Sequence, residues 1–164
     1  MNGNLLIGFG TMTVCLFIQC IIVGGLLDII IFLERKRMIR TTLVGVSSLL
    51  IMVMLIMLAG NIIQITIWAG LFFSYGEFKE FATAFYHSVV NFATLGYGDI
   101  VMSEKRRLLG ALEAANGVLM FGLTTGFLYT ILSGVLERYW DEKLSPDAES
   151  DRSQQEHAEV SRPR

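Results

Sequence analysis

The sequence predicts an all-α membrane protein, with three spanning helices and one shorter re-entrant helix before the last of them. Three observations predict it. Of 164 residues, 53% are apolar and the mean hydropathy is +0.56, more apolar surface than a soluble domain of this length can hide in one core. Three apolar runs, Leu5 to Leu33, Leu43 to Phe73 and Leu108 to Leu136, each exceed the roughly 20 helical residues that cross about 30 Å of hydrocarbon. Between the second and third runs lies a shorter amphipathic stretch, followed at once by Thr94-Leu95-Gly96-Tyr97-Gly98-Asp99.

The first run follows Met1-Asn2-Gly3-Asn4, which has no basic n-region, and it is too long for a signal h-region, so the first helix is expected to stay in place. Cys15 and Cys20 lie within it, five positions apart on a helix and away from any oxidising aqueous phase, so neither a disulfide nor a metal role is expected. The loop Glu34-Arg35-Lys36-Arg37-Met38-Ile39-Arg40 is strongly basic, which places it in the cytoplasm by the positive-inside rule and the N-terminus outside. The second helix runs outward and ends in Trp68, Phe72, Phe73 and Tyr75, rings suited to the headgroup level, with Tyr139 and Trp140 as the inner counterpart.

The amphipathic stretch from Glu77 to Ala93 has its helical part at Phe81 to Phe92, which rises only about 18 Å and can dip into the bilayer without crossing it. Ser103-Glu104-Lys105-Arg106-Arg107 then lies outside, against the charge asymmetry, and the last helix runs inward to put Arg138 and Lys143 in the cytoplasm. Residues Asp141 to Arg164 carry many charges without apolar periodicity and are expected to lack regular structure. The chain thus divides into an added helix and basic loop (1–42), a core of two spanning helices and the re-entrant segment (43–140), and a tail (141–164).

The hexapeptide has its own physical logic. Gly96 and Gly98, without a Cβ, reach backbone angles that turn successive carbonyls toward one axis. The Tyr97 ring is expected to point away from that axis and pack behind it, and Thr94 adds a hydroxyl at the inner end. These residues resemble the selectivity filter of tetrameric potassium channels, where backbone carbonyls replace the hydration shell of the ion. From Gly60 to Leu136, the order of outer helix, pore helix, filter and inner helix is similar to the pore domain of the potassium channel superfamily, in particular its small prokaryotic pore-only members. Phe85 to Ile100 is the most specific part, and the first helix has no counterpart in that pattern.

The resemblance implies a passive, potassium-selective channel subunit. Dehydrated K+ is held at Thr94, Leu95, Gly96 and Tyr97, with Gly98 completing the filter and Asp99 at the outer mouth; no cofactor is implied beyond the permeant ion. Irregular backbone at membrane depth must be enclosed by protein, and one filter copy per chain implies a homotetramer. The resemblance also implies a multi-pass protein of a bacterial inner membrane. Three departures matter: Leu95 stands for the more usual Val, Ala93 for Thr or Ser, and Val90 for an acid that in some members bonds the Asp after the filter, so Asp99 needs another partner.

Further residues carry polar chemistry inside the membrane. Glu113 and Asn116 share one face of the last helix, and Glu113 is read either as support behind the filter, bonding pore-helix backbone or His87, or as a solvated acid pairing with Arg106 or Lys105. His87 reads first as structural support of the filter, with pH sensing as the alternative. Asn61 and Gln64 are expected to bond across helices toward the pore helix. The last helix is rich in glycine despite a propensity cost of about 1 kcal/mol each. Gly117 is the first candidate for a gating hinge and Gly122 the second, although Gly122 with Gly126 also has the spacing of close helix contact.

The expected partners are copies of this chain, lipid and K+, with a separate regulatory subunit left open. No basic patch interleaved with aromatics suggests nucleic acid, no Arg or Lys recurs at every third position of a spanning helix as in a voltage sensor, and no nucleophile–base pair, phosphate loop or metal cluster suggests an enzyme. The alternatives are a non-conducting scaffold or regulatory subunit, a poorly selective cation channel, and a potassium uptake transporter subunit, the last disfavoured by a short chain with both glycines.

Overall fold

The computed structural model describes residues 2–35 and 43–160. Four helices follow one another: α1 (Asn2–Arg35), α2 (Leu43–Ser74), α3 (Phe81–Phe92) and α4 (Arg107–Val160). Three of them contain stretches long and apolar enough to cross a membrane, Gly3–Leu33, Val44–Ser74 and Arg107–Glu137. α3 has 12 residues and at 1.5 Å per residue covers about 18 Å, too short to cross. The basic loop through Lys36, Arg37 and Arg40, on which the inside assignment rests, lies outside the described residues.

α1 and α2 run antiparallel, and α1 lies alongside α4 in the same direction. Asn4 Nδ2 donates to the Lys105 carbonyl, which fixes the start of α1 beside the start of α4, at the end of the molecule that also carries the filter loop. Close approach is possible where side chains are missing: a Cβ at Gly8 would strike Leu112 of α4, and one at Gly60 would strike Ile22 of α1. Two apolar clusters follow. One gathers Trp68, Phe72, Ala84, Phe92, Leu109 and Met120 around α3; the other joins Leu26, Leu49, Val53, Met57 and Phe127 toward the opposite end.

Two expectations are corrected here. α4 continues as helix to Val160, through residues expected to lack regular structure. Glu, Gln and Ala in that segment have high intrinsic helix propensity, and apolar periodicity reports packing and says nothing of propensity. Gln64 does not reach the pore helix. Its Nε2 donates to Gln19 Oε1 at 2.8 Å, both side chains being buried, so this polar pair ties α2 to α1. Both cysteines are free, Cys15 buried and Cys20 exposed.

Candidate functional site: the pore helix and filter loop

α3 ends in a geometry set by its own carbonyls. Thr94 N–H donates to the Asn91 carbonyl at 2.8 Å and Leu95 N–H to the Val90 carbonyl at 2.9 Å, the paired bonds that close a helix when the residue after the C-cap turns left-handed. Glycine normally fills that place. Here it is Thr94, at φ 58°, a conformation that strains a β-branched side chain by an amount on the order of 1–3 kcal/mol.

Left-handed backbone then recurs at every second residue: Gly96 at φ 59° and Gly98 at φ 73°, with Leu95 and Tyr97 between them on the ordinary side. In a strand, successive carbonyls alternate in direction; alternating the handedness of the backbone instead brings consecutive carbonyls to one side. Only glycine adopts the second and third of these positions without strain. The loop is therefore built to line up oxygens along one edge.

Within one chain that edge is open. Leu95 is 52% and Tyr97 65% exposed, so the packing expected behind the Tyr97 ring is not supplied by its own protomer.

The exit of the loop is anchored to α3 at two places. Tyr86 Oη donates to Asp99 Oδ2 at 2.7 Å, which answers the question raised by Val90: the partner of Asp99 is an aromatic hydroxyl four residues earlier on the pore helix. This bond holds the Asp99 carboxyl below its usual range and pushes the Tyr86 hydroxyl up. One residue further, His87 Nδ1 faces the Ile100 carbonyl at 3.1 Å, while Asn91 Nδ2 stands 2.9 Å from His87 Nε2. The His87 ring is wedged against Phe78 (centroids 5.0 Å apart) and edge-on to Phe72 (5.8 Å), and burial lowers its basicity. An open cleft of about 560 Å³ lies behind the loop, with His87, Asn91, Gly96, Gly98, Glu104 and Arg107 in its lining.

Glu113 lies inside the fold and not at the surface. It is fully buried, and its Oε1 pairs with Ser88 Oγ, whose single hydrogen is shared between that carboxylate and the Ile65 carbonyl 3.0 Å away. The Asn91 carboxamide faces it as well. His87 is not its direct partner; Asn91 stands between them. Arg106, the proposed surface partner of Glu113, instead pairs with Glu77 at 3.4 Å and lies over the Tyr75 ring at 3.8 Å, and Glu77 also accepts from Ser103 N and Oγ at 2.9 and 2.8 Å. These contacts pin the end of α2 to the start of α4 beside the loop.

The two hinge candidates differ. Gly117 is buried where α4 crosses the end of α3: a Cβ there would meet the carbonyl oxygen, carbonyl carbon and Cα of Phe92. Gly122 has nothing within 4 Å of such a Cβ. Sequence reasoning missed Ser88 and Asn91, although Asn91 lies one turn after His87 and its spacing carried the signal. It also missed Tyr86 as the partner of Asp99, and Gln19 in α1, for which an all-apolar helix offers no pattern.

A family model described as ion channel matches residues 51–133, just over half of the chain, from within α2 through α3 and the loop and down most of the spanning part of α4. Neither a search of curated proteins nor one of solved structures found a match.

Proposed function

The chain belongs to the ion channel family, of the two-transmembrane pore type within the potassium channel pore superfamily, and on that premise we propose that it is the subunit of a homotetrameric, potassium-selective channel. The observation that carries this reading is the alternation at Thr94, Gly96 and Gly98, which sets carbonyls side by side along one edge. Four such edges around an axis supply the cage of oxygens that replaces water around a dehydrated K+ at Thr94, Leu95, Gly96 and Tyr97. Asp99, tethered by Tyr86, stands at the outer mouth. The exposed rings and carbonyls of the loop find their enclosure in neighbouring copies, since lipid offers backbone carbonyls no ligand.

Conduction is passive, and no chemical step is proposed. The protein's own work is positional. α3 holds the inner end of the filter through its closing hydrogen bonds. Tyr86 and His87 hold the outer end, and Ser88 with Glu113 holds the back of α3 against α4. The N-terminus and the filter mouth share one side of the membrane, here the outside, and α4 leads its helical extension into the cytoplasm. The reading is tested by reconstituting the purified chain in liposomes and measuring the reversal potential with K+ on one side and Na+ on the other. A reversal near the K+ equilibrium potential, with block by barium, is the expected result. A reversal near zero makes it a poorly selective cation channel, and absence of flux makes it a non-conducting subunit.

A further inference from the structure

His87 lies between two fixed partners whose chemistry dictates its protonation. The Ile100 carbonyl can only accept, so the hydrogen of the neutral ring sits on Nδ1 and is donated across 3.1 Å. Nε2 then carries a lone pair, and the group 2.9 Å from it is Asn91 Nδ2, a donor. The set is complete for the neutral ring and for no other form. A proton on Nε2 would face the Asn91 amide with donor against donor, and relief requires either rotation of that carboxamide to present its oxygen or loss of the Ile100 bond.

The Asn91 amide rests on the bare face of Gly110, where a Cβ would come within 2.9 Å of Nδ2. The same amide faces Glu113, so turning it changes what α3 offers to α4. Solvent reaches the site through the cleft behind the loop, which His87 and Asn91 line together.

We propose that His87 and Asn91 form a proton-binding switch at the filter exit, in which protons from the outer solution turn the Asn91 amide, change how α3 is held against Glu113 of α4 and reduce conduction. The inference rests on the channel reading above and adds a ligand and a stimulus to it. The charged groups around the ring come from each neighbouring element. Glu77 of the α2–α3 connection is engaged by Arg106 and Ser103, and Asp99 of the loop is engaged by Tyr86. Glu104 and Arg107 line the shared cleft, Glu113 of α4 is reached through Asn91, and α2 presents the uncharged Phe72. Burial disfavours the proton and outweighs the Ile100 carbonyl, Asp99 and Glu77, which favour its uptake, so the transition lies on the acid side of the ordinary imidazole value of 6.5. Asp99 itself titrates below its ordinary 3.8 and stays charged throughout that window.

The experiment measures K+ flux through the full chain in liposomes while the outer pH is stepped from about 7.5 to about 4.5 with the inner pH fixed, and then the reverse. Outer acid is expected to reduce flux, by about tenfold per pH unit at most below the midpoint for one controlling proton, and inner acid is not. His87→Phe abolishes the dependence on outer pH whatever its flux at neutral pH. Asn91→Asp, which offers an acceptor to Nε2–H, moves the midpoint to higher pH. Nitrogen NMR of the imidazole, assigned by loss of the His87 signal in His87→Phe, is expected to show hydrogen on Nδ1 alone at about pH 7.5, and this readout holds whether or not the chain conducts. Flux that ignores outer pH, a pH dependence retained in His87→Phe, a midpoint unmoved or lowered by Asn91→Asp, or hydrogen on Nε2 of the neutral ring each overturns the proposal. If His87→Phe fails to fold, Asn91→Asp decides, and absence of flux at every pH sinks the channel reading and leaves the NMR result to judge the switch.

Discussion

Replacing Gly117 by Ala tests where α4 and the pore helix depend on each other. On helix propensity alone the change stabilises by about 1 kcal/mol. Against this stands the geometry: the new methyl would fall on three atoms of one residue, the carbonyl oxygen, carbonyl carbon and Cα of Phe92. None of these is the end of a flexible side chain, and the Phe92 backbone is the last turn of α3, two residues before Thr94. Overpacking costs about 1–3 kcal/mol, and an unyielding obstacle puts the cost at the upper end, so the net effect is a loss of about 2 kcal/mol per chain. Gly122→Ala is the control, because nothing lies within 4 Å of its Cβ and the propensity gain stands alone. The two variants should differ by about 3 kcal/mol, roughly a hundredfold in a folding equilibrium. The assay is graded heating of the purified oligomer with recovery of K+ flux as a second measure. If Gly117→Ala survives heating as well as Gly122→Ala and conducts normally, α4 does not seat against Phe92 as described.

Four further outcomes are expected. Tyr86→Phe removes the hydroxyl that holds Asp99 and should speed the loss of conduction when K+ is lowered; in the parent protein the bond is present at neutral pH and lost only as pH falls through a carboxylate value below 3.8, so recordings from neutral pH down to about 5 should show no contribution from it. Glu113→Leu should lower open probability in single-channel recordings, whereas Glu113→Gln, which keeps an oxygen for Ser88 Oγ, should retain it; equal behaviour of the two would show that this contact does not position α3. A double-mutant cycle of Gln19→Leu and Gln64→Leu should give a coupling of about 0.6–1.7 kcal/mol in thermal stability, and additive effects would place α1 outside the pore's energetics. Exchanging K+ for Na+ should lower the melting temperature of the assembly, since an ion bound only by the folded oligomer at 100 times its Kd stabilises by about 2.7 kcal/mol; identical melting in both salts would argue against a filter that holds K+.

The parts of this architecture that could be read from sequence are those in which one residue type has one physical explanation. Gly96 and Gly98 announce left-handed backbone, and the short run from Phe81 to Phe92 announces a helix that cannot cross. Thr94 gives no such signal, because a β-branched residue is the last choice for that conformation. Its placement follows from the helix that precedes it and the hydroxyl that follows from its identity. The partners of buried polar groups were equally hidden. α1 and α2 are apolar on all sides, so no stripe fixes their rotation, and the pairing of Gln64 with Gln19 in place of the pore helix follows only from packing. Glu113 could be assigned to a face but not to Ser88, since spacing fixes neighbours along one helix and says nothing of the helix opposite.

Strain and exposure in the loop are two sides of one arrangement. Backbone N–H groups of Thr94 and Leu95 are committed to closing α3, which is what forces Thr94 into the left-handed region and starts the alternation. From there the loop has no regular secondary structure until α4 begins, and beyond the glycines it is fixed within the chain by the Tyr86 hydroxyl on Asp99, the His87 ring on Ile100, Glu77 on Ser103 and Asn4 on Lys105. A segment pinned at both ends, strained at one and left with a free row of carbonyls, is not stabilised by its own chain. It becomes low in free energy only when something outside the chain satisfies those oxygens. On the channel reading proposed above, an ion on the axis and three further copies would do so together, so that occupancy of the filter and assembly would form one coupled equilibrium.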